Sequence, residues 1–241
     1  MKIRRLSEID LARLASLPQG ATLEQACRNY NAGGGSWSYN PVRNSTADIV
    51  GAEMPLFPAM PGTRFEQIES QIKADCTRGD NQETANVEVA RVLHDEVQKR
   101  NWKAVSLPMG QLRVASREFV RYWSDIVLAD ESGPFVPFFD HRRGNGVSSK
   151  EIMRIVFSMQ NVWIRDRIPD LADARLAIVR FPVVKEARQL SVCFHDESKL
   201  IPFEELNERI RVVYETWARV SVEKSADIRR TGTGGSTPMG F

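Results

Sequence analysis

The 241-residue sequence predicts an α/β or α+β fold, with a mixed central sheet flanked by helices and an extended, loop-rich N-terminal arm. Three observations predict this class. Stretches with apolar residues at helical spacing alternate with short β-favouring runs, two such runs flank a turn typical of a hairpin, and one long segment has few periodic apolar positions. We therefore expect an N-terminal helix and Gly/Pro-rich arm over 1–63, a main domain over 64–220 and a flexible tail over 221–241.

The charge balance argues against a strong overall electrostatic field. With 33 Lys and Arg against 31 Asp and Glu, the net charge is +2, so any contact with nucleic acid or an acidic membrane would have to be local. No apolar run approaches the roughly eighteen residues of a membrane span, and we expect no membrane partner. Three scattered cysteines and an N-terminus without a continuous apolar stretch are typical of a cytoplasmic, bacterial protein.

The N-terminal region is predicted to contain one short helix and then the arm. Ser7 can cap a helix that ends before Pro18. Residues 29–61 are rich in glycine and proline and have little periodicity, which predicts loops. The arm also carries three aromatic residues that could bind a protein partner or a second copy of the chain, or could pack on the chain's own core, namely Trp37, Tyr39 and Phe57.

The first half of the main domain is predicted to hold two helices and two strands. Phe65, Ile68 and Ile72 share one face of a helix of about three turns. A second helix is expected from about residue 83 to 100, where apolar residues recur at helical spacing. Extended segments are expected at 103–107 and 117–123.

A hairpin is predicted next, because apolar runs at 126–129 and 135–139 flank the turn-forming residues 131–134. If the turn is centred between Ser132 and Gly133, Asp130 faces Phe135 and Asp125 faces Asp140. Directly opposed residues have Cβ atoms about 4.5–5.5 Å apart, and like charges there destabilise the pair unless a cation compensates. A bulge in the turn would remove this opposition.

The compensating cation could be a metal ion or a nearby side chain. Mg²⁺ and Mn²⁺ accept hard oxygen ligands, so a divalent ion could lie between Asp125 and Asp140. Arg142 or Arg143 could serve instead, in which case the acidic and basic residues simply stabilise the end of the hairpin. No organic cofactor is indicated.

The C-terminal half is predicted to add two helices and two strands. A long helix should begin after Ser148 or Ser149 and stop before Pro169. Strands are expected at 175–181 and 189–195, and Pro202 should open the last helix.

This order of elements, with Asp125 on one strand and the triplet Asp140-His141-Arg142 ending the next, resembles the PD-(D/E)xK nuclease superfamily over roughly residues 83–181. The resemblance implies that Asp125 and Asp140 hold the metal, that Arg142 stands at the lysine position and that Glu88 supplies a further acidic residue. Arginine can hold a phosphate but cannot act as a base. The implied function is a divergent nuclease-like protein that binds or cleaves nucleic-acid phosphodiesters with Mg²⁺ or Mn²⁺.

A basic cluster at the start of the predicted long helix is the candidate phosphate-binding site, because backbone amides at a helix N-terminus also favour anions. Its members are Arg142, Arg143, Lys150 and Arg154. The same charges could instead form a solvated surface balanced by nearby acidic residues. The alternative function is a non-catalytic interaction or assembly protein that binds a protein partner, or itself, through residues 29–61.

Overall fold

The computed structural model describes residues 6–30, 38–53, 63–144, 146–196 and 199–232, with side chains as far as residue 224. The predicted mixed sheet is confirmed. Its five strands are β1 (Lys103–Ser106), β4 (Ile126–Asp130), β5 (Gly133–Asp140), β6 (Arg175–Arg180) and β9 (Ser191–Phe194), in the order β1-β4-β5-β6-β9. Strands β5 and β6 are parallel, and the other neighbours are antiparallel.

Two small antiparallel ladders and eight α-helices accompany this sheet in the described chain. The ladders pair β2 (Leu112–Val114) with β3 (Glu118–Val120), and β7 (Val183–Val184) with β8 (Ala187–Arg188). The helices are α1 (Glu8–Ala15), α2 (Ala21–Asn29), α3 (Asn40–Asn44), α4 (Thr46–Val50), α5 (Phe65–Asp75), α6 (Asp80–Lys99), α7 (Lys150–Gln160) and α8 (Phe203–Gly232). A π-helical turn, Asn161–Arg165, extends α7, and a 3₁₀ turn, Pro169–Leu171, follows it.

Helices cover both faces of the sheet, which gives three layers. Val136 and Phe138 of β5 point into a core built with α1, α2, α7 and α8, whereas Phe135 and Phe139 point into a second core built with α3, α4, α5 and α6. Because side chains alternate along a strand, a strand buried on both faces is apolar at consecutive positions. This is why residues 135–139 carry no polar residue.

The N-terminal residues are part of this packing where the structure describes them. Leu11 and Cys27 are buried in the first core, and Val42 and Ile49 are buried in the second. The sequence missed α2, α3 and α4, and the last two are only one turn or so long. Helix α8 extends to Gly232, well past the predicted start of the tail at residue 221, and Trp37 and Phe57 lie outside the described residues.

Two predicted helix starts can be checked directly. The Ser7 hydroxyl accepts a hydrogen bond from the Asp10 amide and caps α1, as predicted. Helix α7 is capped by Ser149, whose hydroxyl accepts from the Ile152 amide, so the second of the two predicted starts is the observed one. Within the part of the chain that the structure describes, every helix is too short or too polar to cross a membrane.

Candidate functional site

A cleft of about 1000 Å³ opens where the start of α1, the pair α3–α4 and the end of the β4–β5 hairpin meet. It contains two of the four predicted catalytic residues, Asp125 and Arg142, and one predicted aromatic anchor, Tyr39. It also contains His141 and Arg43, which were not among the predicted site residues. We take this cleft as the candidate site because it joins elements from distant parts of the chain.

The predicted pairing of Asp125 with Asp140 is wrong. Asp130 pairs with Gly133, not with Phe135, so the paired residues of β4, 128–130, meet partners two positions earlier than expected. The cause is a tighter turn, in which the Asp130 carboxylate accepts a hydrogen bond from the Ser132 amide at 2.8 Å. The two carboxylates therefore do not face each other across the hairpin.

Asp140 accepts hydrogen bonds from the loop that follows β5. Its side chain is buried, and its two oxygens accept hydrogen bonds from the backbone amides of Val147 at 2.6 Å and Arg142 at 3.2 Å. The carboxylate lies so close to Gly146 that a Cβ atom there would come within 1.9 Å of it. Asp140 thus organises residues 141–147, and its oxygens are satisfied by backbone donors.

Asp125 is held separately. Its carboxylate accepts from the Met109 amide at 3.0 Å and from the Arg121 guanidinium at 2.7 Å. Among the described residues, no group of three or more His, Cys, Asp or Glu side chains is close enough together to hold a metal ion. The geometric argument for Mg²⁺ or Mn²⁺ between Asp125 and Asp140 is therefore lost.

Arg142 binds helix α1. Its guanidinium donates to both oxygens of Asp10, at 2.9 and 3.0 Å, and to the Ser7 hydroxyl. Burial acts to raise the pKa of Asp10, but hydrogen bonds from Arg142, Ser7 and Tyr30 outweigh it and bring the pKa to about 2. The same carboxylate raises the pKa of Arg142.

The other predicted site residues have different partners. Glu88, on α6, pairs with Arg143 at 3.1 Å. Arg154 donates to the Lys199 carbonyl, and Lys150 is an exposed residue at the start of α7. The three arginine side chains of the predicted phosphate cluster therefore bind three different parts of the chain.

Comparison with known proteins identifies the family of this chain. Residues 9–227 match the family described as "Sliding clamp-binding bacterial toxin SocB". The chain belongs to the SocB family. A curated relative, the "DNA replication inhibitor toxin SocB" of Caulobacter vibrioides (strain NA1000 / CB15N), is 32% identical over 237 residues, which cover 98% of this chain and 98% of the relative.

Membership of the SocB family corrects the interpretation of the sequence. The resemblance to PD-(D/E)xK nucleases is wrong. The SocB match spans almost the whole chain, whereas that resemblance depended on the order of elements and four residues within roughly 83–181. The predicted nuclease function is therefore wrong. The predicted nucleic-acid partner, which depended on it, is left without support. A helix, hairpin, helix and strand in this order are common to many α/β proteins and do not specify a chemistry.

His141 is the first of two cleft residues that the sequence analysis did not place in a site. Its ring is buried between Tyr39 and Phe181, with ring centroids 5.9 and 5.6 Å away. Burial, followed by the charges of Arg43 and Arg188, lowers the pKa of His141 to about 3, so the ring is neutral. Neither ring nitrogen has a hydrogen-bond partner among the described residues.

Arg43 is the second. It lies on α3, lines the cleft and remains open to solvent, and no carboxylate in the described chain forms an ion pair with it. The walls of the cleft shield its guanidinium partly from water, and this desolvation lowers the pKa of Arg43. The sequence did not predict the position of Arg43 in the cleft, because residues 29–61 lack the periodicity that would have predicted α3.

Tyr39 shows how the arm is attached next to this cleft. Its hydroxyl accepts a hydrogen bond from the buried Arg188, which also donates to the carbonyls of His141 and Phe181. Of the two roles considered for Tyr39, the structure shows packing on the chain's own core.

Proposed function

We propose that this chain is a bacterial toxin that binds a sliding clamp and thereby inhibits DNA replication. The observation that carries the proposal is the full-length match to the Caulobacter vibrioides toxin, in which 98% of each chain is covered by one alignment. No large insertion or missing domain separates the two chains, so a binding surface on the relative has a counterpart here. The chain would act in the cytoplasm, where replication takes place.

Inhibition by binding alone requires no catalytic residue. A clamp whose docking surface is occupied by one protein cannot offer that surface to another, so affinity and concentration set the degree of inhibition. The separate pairing of Asp125, Asp140 and Arg142 within the fold is consistent with such a function.

For the clamp-binding surface we propose aromatic residues of the segment 29–61, above all Phe57. Aromatic anchors contribute much of the energy of protein interfaces. The described residues that precede and follow Phe57 in the sequence are held by the body of the protein. Glu53 forms a β-bridge with Val105 at the free edge of β1, and Phe65 is buried at the start of α5.

The proposal is tested by measuring binding of the purified chain to a bacterial sliding clamp by biolayer interferometry. We expect a saturable complex that Phe57→Ala weakens by at least about tenfold, as truncation of an aromatic anchor does. The matched control is Phe119→Ala, which removes another phenylalanine, 46% exposed, from β3. Deleting the whole arm is unsuitable because Val42 and Ile49 are core residues.

The results separate the parts of the proposal. Absence of a complex with the wild-type chain would overturn the proposed function. A complex that Phe57→Ala and Phe119→Ala affect equally would overturn the surface and leave the function standing. Clamp-dependent primer extension should slow in proportion to the bound fraction. A dimer mass without clamp that Phe57→Ala reduces to a monomer mass would instead assign Phe57 to self-association.

A further inference from the structure

The cleft beside α3 contains three arginines that differ in their partners. Arg121 is paired with Asp125 and Arg142 with Asp10. Arg43 has neither an ion pair nor a side-chain hydrogen bond within the described residues, although it lines the same concave surface. An arginine that lines a cleft without forming an ion pair is a ready donor for an anion, because its guanidinium presents several N–H groups in a fixed plane.

A second observation points to the same place. His141 is 2% exposed, lines the cleft, and has both ring nitrogens buried without a partner in the part of the chain described. Buried polar atoms are hydrogen-bonded in the great majority of folded proteins, and an unpaired one costs about 1–3 kcal/mol. A neutral histidine offers one N–H donor and one acceptor, so a polar ligand that reaches the ring from the cleft would satisfy groups that the described residues leave unpaired.

We infer that this cleft binds a small ligand through a single oxyanion, a carboxylate or a phosphate, with Arg43 as its principal charge partner and His141 as a neutral hydrogen-bonding partner. Two further amides of α3, Asn40 and Asn44, line the cleft beside Arg43 and can hydrogen-bond the rest of the ligand. This site goes beyond the proposed clamp-binding function and does not depend on it.

The charges around the cleft decide the class of ligand. Glu8, Asp10 and Asp125 line it together with the three arginines, so formal positive and negative charges are equal in number. Arg121 and Arg142 already form ion pairs, which leaves Arg43 to meet a single added negative charge. A highly charged polyanion would be repelled by the carboxylates. Bidentate contact with a planar guanidinium suits both carboxylate and phosphate, which is why both are retained as probes.

The inference is tested by nuclear magnetic resonance titration of the full chain with inorganic phosphate and, separately, with acetate, at constant ionic strength. We expect saturable shifts of the α3 amides and of the Arg43 side-chain N–H with at least one probe. Arg43→Gln should weaken that binding by about tenfold or more, because the charged donor is removed. Arg117→Gln is the matched control, since Arg117 is exposed, lies outside the cleft and has no ion pair in the described chain.

His141→Phe provides the second variant, because it keeps the aromatic stack and removes both ring nitrogens. We expect it to weaken binding severalfold while Arg117→Gln leaves the affinity within about twofold of wild type. No saturable binding of either probe, or equal weakening by Arg43→Gln and Arg117→Gln, would overturn the site. Binding that His141→Phe leaves unchanged would overturn the part assigned to His141.

Discussion

Arg142 donates two hydrogen bonds to the carboxylate of Asp10, joining the loop after β5 to the first turns of α1 across 132 positions of sequence. The carboxylate is only 10% exposed, and it also accepts from the hydroxyls of Ser7 and Tyr30. A bidentate arginine–carboxylate pair of this kind fixes orientation as well as distance. The pair therefore sets where α1 lies against the hairpin and forms one wall of the cleft.

We expect Arg142→Met to lower the free energy of unfolding by about 2 kcal/mol or more, because it leaves a largely buried carboxylate without its charge partner. The adjacent residue supplies the control. Arg143 pairs with Glu88, and both side chains are largely exposed, so Arg143→Met should cost less than about 1 kcal/mol. Urea unfolding of both variants checks this, and equal costs would contradict the role given to Arg142.

The same pair predicts an acid-sensitive contribution to stability. The pKa of Asp10 is about 2 in the folded chain, against an ordinary value near 4. The contribution, about 2 kcal/mol, is fully present above pH 4 and is lost as the pH falls towards 2. Asp10→Asn should remove this part of the acid dependence, measured as the free energy of unfolding at pH 2.5 and pH 5. A slope over that range that Asp10→Asn leaves unchanged would contradict the assignment.

The loop after β5 makes a sharp steric prediction. A Cβ at Gly146 would come 1.9 Å from the Asp140 carboxylate, which is buried and bonded to the Val147 amide, so it cannot simply move aside. Gly146→Ala should therefore lower the free energy of unfolding by about 1–3 kcal/mol. At Gly144 nothing lies within 4 Å of the added atom, and Gly144→Ala should change it by less than about 0.5 kcal/mol. Thermal unfolding of the two variants tests this contrast.

The sequence predicted the elements whose burial pattern is regular and missed those whose position depends on distant contacts. The long helices α6 and α8 bury one face, and their apolar residues recur accordingly. The short helices α3 and α4 have too few residues for any period to show, and they are held by contacts with α6. Local pattern cannot reveal such an arrangement.

The candidate site was harder to predict because its residues come together from separate parts of the chain. Asp125 and Arg142 were predicted as site residues, but from a hairpin register that differs by two residues from the observed one. The observed turn contains a side-chain hydrogen bond between Asp130 and Ser132. His141 entered the sequence analysis only as the middle residue of the triplet Asp140-His141-Arg142, and the structure shows it buried against Tyr39. The tertiary contact that gives Arg142 its partner, Asp10, spans most of the chain and leaves no mark in local sequence.

Asn86 fixes the described part of the arm to the body of the protein. It is fully buried, its carbonyl accepts from the Val42 amide at 3.1 Å, and its amide donates to the Ser38 carbonyl at 3.1 Å. Asn86→Ala should lower the free energy of unfolding by about 1–3 kcal/mol, because it leaves the Val42 amide without its partner and removes one of the two side-chain donors to the Ser38 carbonyl. Asn81→Ala, at an exposed position of the same helix, is the control and should be near neutral. Hydrogen exchange at Val42 should accelerate only in the first variant.

His141 predicts a second pH dependence, in a range separate from that of the carboxylates. Its pKa is lowered from 6.5 to about 3 in the folded chain, so between these values the unfolded chain binds a proton that the folded chain does not. Stability is therefore unaffected above pH 6.5 and falls as the pH drops below it, by at most about 1.4 kcal/mol per pH unit. The window from pH 6.5 to 4.5 lies above the range in which Asp10 titrates.

His141→Phe should flatten this slope whatever its effect on stability at pH 7, because phenylalanine has no proton to gain. The control, His94→Gln, removes a histidine whose ring is 25% exposed on α6 and should keep the wild-type slope. The measurement is the free energy of unfolding by urea at half-unit steps of pH across the window. A slope that persists in His141→Phe would show that another group carries the dependence. A slope absent from the wild type would show that water or a bound ligand solvates the His141 ring.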